Sequence, residues 1–224
     1  MGGSPKGVAI SSLLIAQDWE GALSLAEDDP QHAKEWFYGV DDRLDPTIDD
    51  ISNEGDESDK DGNPCFVWKR QALHLACVYR APVGLVEVLL EAYPHAATSP
   101  DPHCGSLPIH LACQNRTSYR VVKSLLVHSP STSKAMDKLG RLPLHYAVIA
   151  KAHYAIVELL LNVDPSAALA ADKYSQTPLD LAKQTHGKKN VVVRLLEMVT
   201  MVHHKPIVTP RERRRKSKDK FIYI

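Results

Sequence analysis

The feature that most constrains this chain is a repeat of 35–36 residues. His74, His110, His145 and Asp180 follow one another at intervals of 36, 35 and 35 residues, each after a leucine or isoleucine and two positions before an alanine. Pairs of aliphatic residues recur eleven and twelve, and again fifteen and sixteen, positions after each of these anchors. Such self-similarity is typical of stacked repeats, because one unit alone cannot bury its apolar face. The sequence therefore predicts an array of four similar units.

Each unit carries the pattern of two helices. In three units a proline opens the first helix, at a position where a backbone N–H group has no partner within the helix. The aliphatic pairs of the second helix lie at i, i+1, i+4 and i+5, which places them on one broad stripe. A proline also follows the second helix in three units and ends it. The opening prolines are Pro108, Pro143 and Pro178, and the closing prolines are Pro94, Pro130 and Pro165. The pattern predicts an all-α fold.

These residues resemble the ankyrin repeat. The family's Thr-Pro-Leu-His-x-Ala motif is similar to residues 107–112, 142–147 and 177–182, and more weakly to residues 71–76. The family's Asp-x-x-Gly turn is similar to residues 137–140. The resemblance covers roughly residues 66–202 and implies an ankyrin-repeat solenoid of stacked helix-turn-helix repeats. The four repeats are expected at residues 66–100, 101–136, 137–171 and 172–202.

The chain also departs from the family pattern. Its period of 35–36 residues exceeds the usual value of about 33 residues, and the glycine that the family places between its two helices is absent from the first three copies. The resemblance implies that His74, His110 and His145 hydrogen-bond neighbouring backbone and hold the turns. Asp180 replaces the histidine in the fourth copy, which suggests a terminal, capping repeat.

The formal net charge of zero conceals three differently charged segments: residues 1–64 carry a net charge of −12, residues 65–202 of +6 and residues 203–224 of +6. Residues 1–39 are expected to form an N-terminal helical cap, a degenerate half-repeat with its helices between Ser12 and Trp36. Residues 40–65 contain ten acidic side chains against Arg43 and Lys60, which predicts a disordered insertion. Residues 203–224 carry eight basic and two acidic side chains and are expected to form a disordered basic tail. One hypothesis is that the insertion folds over a basic face and competes with a partner there.

The resemblance implies a protein partner bound on a concave face made by the turn tips and the exposed side of each first helix. On this face aromatic and cationic side chains are mixed, which favours an acidic protein partner. For Trp68 and Tyr79, an alternative is that they only cover the edge of the first repeat. The candidate partner-binding residues are Trp68, Arg70, Tyr79, His103, Gln114, Asn115, Lys138, Arg141, Lys173 and Tyr174.

No catalytic motif is recognisable in the sequence. Phosphate-binding, nucleotide-binding, nucleophile-elbow and zinc-protease motifs are all absent. A zinc site could be assembled from His103, Cys104 and Cys113, but the paired ligand spacing of zinc sites is missing. We therefore expect a non-catalytic interaction module or scaffold without a cofactor, a metal or a small-molecule substrate.

The basic tail supports an alternative function. Its run of arginines and lysines is compatible with a nuclear localisation signal, or with binding to nucleic acid or an anionic membrane. The sequence has no stretch of about 18 apolar residues and no secretory signal, so we expect a cytoplasmic or nuclear protein. The last helix stays apolar to Val202, and either Ile207–Val208 of the tail or a partner is expected to cover it.

Overall fold

The computed structural model of the protein describes residues 9–40, 67–187 and 189–203. Within these ranges the chain is mostly helical. The α-helices are α1 (Ile10–Ala16), α2 (Trp19–Asp28), α3 (Ala72–Val78), α4 (Val83–Ala92), α5 (Pro108–Gln114), α6 (Tyr119–His128), α7 (Pro143–Ile149), α8 (Tyr154–Val163), α9 (Pro178–His186) and α10 (Val191–His203). Two short strands, β1 (Trp36–Val40) and β2 (Val67–Gln71), complete the regular structure of this part of the chain.

The helices stack in two parallel rows. The first helices α3, α5, α7 and α9 pack on one another in chain order, and the second helices α4, α6 and α8 do the same. Each unit contacts its neighbours in sequence, which is the arrangement of a solenoid. The all-α stack of helix-turn-helix repeats that the sequence predicts is confirmed.

The prolines have the positions that their geometry favours. Pro108, Pro143 and Pro178 each occupy the first position of their helix, where the fixed φ angle suits a helix start. The prolines that follow the second helices each begin a short 3-10 helix. These 3-10 helices are Pro94–Thr98, Pro130–Lys134 and Pro165–Leu169.

The N-terminal segment repeats the same order of elements. After α1 and α2, Pro30–Ala33 forms a 3-10 helix, α1 packs on α3, and α2 packs on α4. Ile10 and Leu14 of α1 are fully buried, so the apolar side of this segment covers the first complete repeat.

The strand pair was not expected from the sequence. β1 and β2 run antiparallel, with Trp36 opposite Gln71 and Val40 opposite Val67. The ring of Trp36 lies 6.1 Å from that of His74. β1 is rich in aromatic residues and β2 begins with Val67 and Trp68, residue types that favour strands, but the long acidic stretch between the strands hides the pairing in sequence. The predicted disordered insertion falls almost entirely on residues 41–66, and the predicted basic tail on residues 204–224; both lie outside the described residues.

Aliphatic residues and alanine form the core. The alanines two positions after each anchor, Ala76, Ala112, Ala147 and Ala182, are fully buried. Because their side chains are small, the first helices of adjacent repeats approach closely. No helix among the described residues is long and apolar enough to cross a membrane.

Candidate functional site

The three motif histidines hold the starts of the first helices. Nδ1 of His74, His110 and His145 accepts the backbone N–H group three residues earlier, at 3.4, 2.9 and 3.1 Å. A ring nitrogen that accepts carries no proton, so the proton lies on Nε2. In His110 this Nε2 lies 3.0 Å from the carbonyl oxygen of Ala135. The ring thus links the start of a helix to the segment that leads into the next turn.

Burial keeps these rings neutral. Desolvation lowers the pKa of His74 to about 4, although the nearby Asp101 raises it in part. Burial also lowers the pKa of His110 and His145, against the opposing effects of Asp137 and Asp172 respectively. A neutral ring can accept a hydrogen bond at Nδ1, which is what each of these helix starts requires.

Asp180 performs the same task in the fourth repeat by different chemistry. Its Oδ2 accepts the backbone N–H of Thr177 at 3.1 Å and the Thr177 hydroxyl at 2.6 Å. The Asp180 backbone N–H donates in turn to Thr177 Oγ1 at 3.2 Å. These bonds form a reciprocal capping box, and the hydrogen bonds from Thr177 lower the pKa of Asp180.

Each turn is built on an aspartate. Oδ1 of Asp101 accepts the backbone N–H groups of His103 and Cys104, at 2.7 and 3.1 Å. Asp137 and Asp172 accept two backbone N–H groups of their own turns in the same way, at 2.8 to 3.0 Å. The turn backbone is therefore held rigidly in the region where the partner-binding residues are predicted.

Two of the predicted partner-binding residues instead hold one turn to the next. Nε of Arg70 donates to Oδ2 of Asp101, and Nε of Arg141 to Oδ2 of Asp172, both at 3.1 Å. The side chain of Arg70 is 10% exposed and that of Arg141 19% exposed. Their charge is thus neutralised within the stack, and the partner-contact role of this pair stays a prediction. The sequence pattern that indicates such an ion pair is an arginine four residues before the motif histidine, followed by an aspartate 31 residues after the arginine.

The second repeat lacks this arginine, since Ser106 occupies the position. Oδ2 of Asp137 accepts instead the hydroxyl of Tyr146, at 2.5 Å. Burial and the hydrogen bond to Asp137 both raise the pKa of Tyr146, so the hydroxyl stays protonated as the donor. Tyr146 is the only tyrosine that follows a motif anchor directly; leucine takes that position in the other three repeats.

Backbone bonds join the turns in series. The N–H of Lys138 donates to the carbonyl of Cys104, and the N–H of Lys173 to the carbonyl of Leu139, both at 2.9 Å. Gly105 has a φ angle of +70°, and a Cβ there would lie 3.2 Å from the backbone nitrogen of Lys138. Glycine thus permits both the turn and the close approach of the next turn.

The other predicted partner-binding residues differ in exposure. Gln114, Lys138, Lys173 and Tyr174 are exposed, and Tyr79, His103 and Asn115 are half-buried. The backbone of Trp68 pairs with Gly39 in the strand ribbon, and its side chain is outside the described structure.

Several of these side chains have contacts within the stack. Asn115 Nδ2 donates to the carbonyl of Leu111 at 2.9 Å, which caps the end of α5. Lys138 Nζ donates to the carbonyl of Pro102 at 2.9 Å. The guanidinium carbon of Arg141 lies 5.7 Å from the ring centre of Tyr174. The turns therefore present an aromatic ring and cations in fixed positions.

The loops between first and second helices contain basic residues with a left-handed backbone, which the sequence analysis did not predict as functional residues. Arg80, Arg116 and Lys151 have positive φ angles of 64°, 56° and 54°, and they occupy the C′ position that usually holds glycine. The left-handed conformation costs a residue with a side chain about 1–2 kcal/mol, whereas a cation at a helix C-terminus gains about 0.3–1 kcal/mol. The absence of glycine at these positions can be read from the sequence, but the alignment of the three cations is recognisable only when the repeats are stacked.

The described residues do not bring metal-ligating side chains together. No group of three His, Cys, Asp or Glu side chains in these ranges could hold a metal ion. Burial raises the pKa of Cys113 to about 12 and, with smaller contributions from neighbouring charges, that of Cys104 to about 11. Both thiols are therefore protonated at neutral pH.

Together the paired helices, the aspartate turns and the histidine-held helix starts define a stacked helix-turn-helix repeat protein. A family model for ankyrin repeats, of three copies, matches residues 73–168 and 109–204, which together cover more than half of the chain. The chain belongs to the ankyrin-repeat family. Among curated proteins no sequence matches it. Ankyrin repeats generally mediate protein–protein interaction and are typically non-catalytic.

Proposed function

We propose that this protein is a non-catalytic scaffold that binds a protein partner on the face formed by the turns and the exposed sides of the first helices, called here the turn face. The observation that carries the proposal is the exposure of Lys138, Lys173 and Tyr174 on turns whose backbone is fixed by aspartate hydrogen bonds. A turn whose backbone is already fixed loses little conformational freedom on binding, so the contacts of its side chains contribute more to affinity.

Charge indicates the kind of partner. Arg70 and Arg141 are neutralised by aspartates within the stack, so the exposed charges contributed by Lys138 and Lys173 decide the electrostatics of the turn tips. Gln114 lies exposed on α5 of the same face and can donate and accept hydrogen bonds. A partner with acidic and aromatic side chains fits this mixture.

The test is affinity capture from native extract with the full chain, the turn-face variant Lys138→Glu/Lys173→Glu, and a matched variant Lys123→Glu/Lys134→Glu. The matched pair is exposed on α6 and on the following 3-10 helix, outside the turn residues themselves, and changes the net charge equally. We expect one protein to be retained by the full chain and by the matched variant and lost by the turn-face variant. Equal retention by all three would contradict the turn face as the binding surface.

The tail provides the other candidate function, binding of nucleic acid or an anionic membrane. Residues 204–224 lie outside the described structure, and no described contact favours this candidate. Affinity capture with a chain that ends at Lys205 distinguishes binding by the turn face from binding by the tail. Retention of the same protein by the shortened chain supports the turn face, whereas loss of all bound material would transfer the function to the tail.

A further inference from the structure

Three cations lie in equivalent, conformationally unusual positions of successive repeats. Arg80, Arg116 and Lys151 are exposed, and each follows a first helix with its backbone in the left-handed region. Within the described part of the chain, their side chains form no hydrogen bond or ion pair. We call these three residues the loop row.

The stack aligns the loop row. The helices α3, α5 and α7 are neighbours. The turns before α5 and α7 are joined by the backbone bond from Lys138 to Cys104, and Arg70, just before α3, bonds Asp101 of the turn before α5. The three helices therefore run parallel and end on the same side of the stack. Packed helices lie about 8–10 Å apart, which sets the spacing of the loop row at about 10 Å. The row lies at the end of the first helices opposite to the turn tips, so it is a different surface from the turn face.

The backbone of the loop row is rigid. The N–H group after each cation bonds back into the preceding helix: Ala81 to the carbonyl of Ala76 at 2.8 Å, Thr117 to Ala112 at 3.0 Å, and Ala152 to Ala147 at 2.8 Å. This is the 6→1 bond of the Schellman motif. The spacing of the three backbone positions that carry the charges is therefore a fixed property of the stack.

Nothing described on this surface neutralises the loop row. The loops 79–82, 115–118 and 150–153 contain no acidic residue, and the first turns of α4, α6 and α8 contain none either. Lys189, in the corresponding loop of the fourth repeat, is also exposed and basic. Helix stability does not explain the choice of residues, because the strain of the left-handed backbone offsets the gain from the helix dipole.

We propose that Arg80, Arg116 and Lys151 bind an acidic segment of the protein partner, which lies in extended conformation across the loops between first and second helices. In the extended polyproline II conformation a chain advances about 3.1 Å per residue with three residues per turn, so carboxylates at every third position lie on one side of the chain, recur at about 9 Å and match the loop row. This inference rests on the proposed function, since it names the chemistry of the partner, but it adds a second contact surface.

A nucleic-acid strand fits the row less well. Proteins that bind single strands add successive exposed aromatic rings on which the bases stack. Beside the row, Tyr79 and Tyr154 are half-buried and Tyr119, the first residue of α6, is 39% exposed, so a strand would find a single exposed ring to stack on. The carboxylates of a peptide are thus the better match.

The experiment measures binding of a fluorescein-labelled synthetic peptide, with aspartate at every third position and serine or glycine between, by fluorescence anisotropy at low salt. The proteins are the full chain, the row variant Arg116→Gly/Lys151→Gly and a second row variant Arg116→Gln/Lys151→Gln. Glycine removes the charge and suits the left-handed backbone, so the first variant is expected to remain folded with an undiminished unfolding midpoint. The controls remove two charges elsewhere: Lys123→Gln/Lys134→Gln, and the turn-face pair Lys138→Gln/Lys173→Gln.

We expect both row variants to lose roughly threefold to tenfold in affinity, as for two exposed charge contacts, and both control pairs to change it by less than about twofold. Added salt should weaken binding to the full chain more than binding to the row variants. Three outcomes would overturn the inference: no binding of the peptide by the full chain, equal losses in row and control variants, or tighter row-dependent binding of oligothymidylate or of phosphatidylserine vesicles. The peptide experiment and the capture experiment can give different answers. If the full chain does not bind the peptide, but the captured protein is lost only by the turn-face variant Lys138→Glu/Lys173→Glu, the inference about the loop row is wrong and the proposed function stands.

Discussion

At the scale of single residues, the repeat depends on histidines that are buried in the neutral form. His74 is fully buried, and burial lowers its pKa from an ordinary value near 6.5 to about 4. Protonation of such a group is easier in the unfolded chain than in the folded one. The stability that the neutral ring contributes is therefore complete above about pH 6.5 and is lost as the pH falls from about 6.5 to about 4.

The first prediction is that the protein loses stability on mild acidification. At pH 5 the free energy of unfolding should be lower than at pH 7.5 by about 2 kcal/mol from His74 alone. His110 and His145 add to the loss, because burial lowers their pKa as well. Urea unfolding followed by circular dichroism at both pH values measures this difference in unfolding free energy. Equal stability at pH 7.5 and pH 5 would mean that these rings do not titrate with folding.

The variant His145→Gln provides the control for this prediction. A glutamine at the third helical position can accept the helix-start N–H group as in a capping box, but it does not titrate. The slope of unfolding free energy against pH should be shallower in this variant between pH 6.5 and 4. A slope identical to that of the unchanged chain would exclude His145 from the acid response.

At the scale of elements, the turns are held together by the arginine–aspartate pairs. The side chain of Asp172 is fully buried and that of Arg141 is 19% exposed. Burial alone would raise the pKa of Asp172, but the N–H of Gln176 and the guanidinium of Arg141 outweigh it, so the pKa lies below its ordinary value. The ionised carboxylate is thus stabilised by its partners, and this contribution is present at neutral pH and lost only in acid below pH 4.

The second prediction concerns this pair. Arg141→Gln leaves the carboxylate of Asp172 buried without its cation, which should lower the free energy of unfolding by about 1–3 kcal/mol at pH 7. The matched variant is Lys173→Gln, which removes an exposed charge from the adjacent turn and should cost less than about 0.5 kcal/mol. Thermal unfolding of the two variants makes the comparison. Similar losses of unfolding free energy in Arg141→Gln and Lys173→Gln would show that the ion pair does not stabilise the fold beyond the effect of net charge.

The helix α10 has two apolar sides of different exposure. Leu196 is fully buried, whereas Met198 is 66% exposed, and Val191, Met201 and Val202 are exposed as well. The third prediction is that Leu196→Ala lowers the free energy of unfolding by about 2–5 kcal/mol, and Met198→Ala by less than about 0.5 kcal/mol. A loss at Met198 as large as that at Leu196, measured by urea unfolding, would show that something covers the outer side of α10 in solution.

At the scale of the whole molecule, the repeat period was sufficient to predict the stack but not its details. The spacing of His74, His110 and His145 gives the number of units, and the aliphatic pairs give the second helices. The strand ribbon escaped prediction because its strands are separated by an acidic stretch, so no short-range hairpin signal exists. Arg70 and Arg141 look like exposed contact residues in sequence, since a charge reveals its partner only when the next turn is placed beside it. The loop row likewise exists only in the stack.

The same one-dimensional architecture determines how the molecule should open. Each repeat contacts only its neighbours, so the opening free energy of a helix depends on how many neighbours it has. α5 packs against both α3 and α7, and α6 against both α4 and α8, whereas α1 and α10 end the described stack. The fourth prediction is that native-state hydrogen exchange is slowest in α5 to α8 and faster in α1, α2 and α10. Mass spectrometry of peptic fragments resolves these segments. Uniform protection from α1 to α10 would show that the chain opens as one cooperative unit. The interfaces between repeats would then be far more stable than the single repeats. In that case a charge change on one loop would alter the stability of every repeat in the stack.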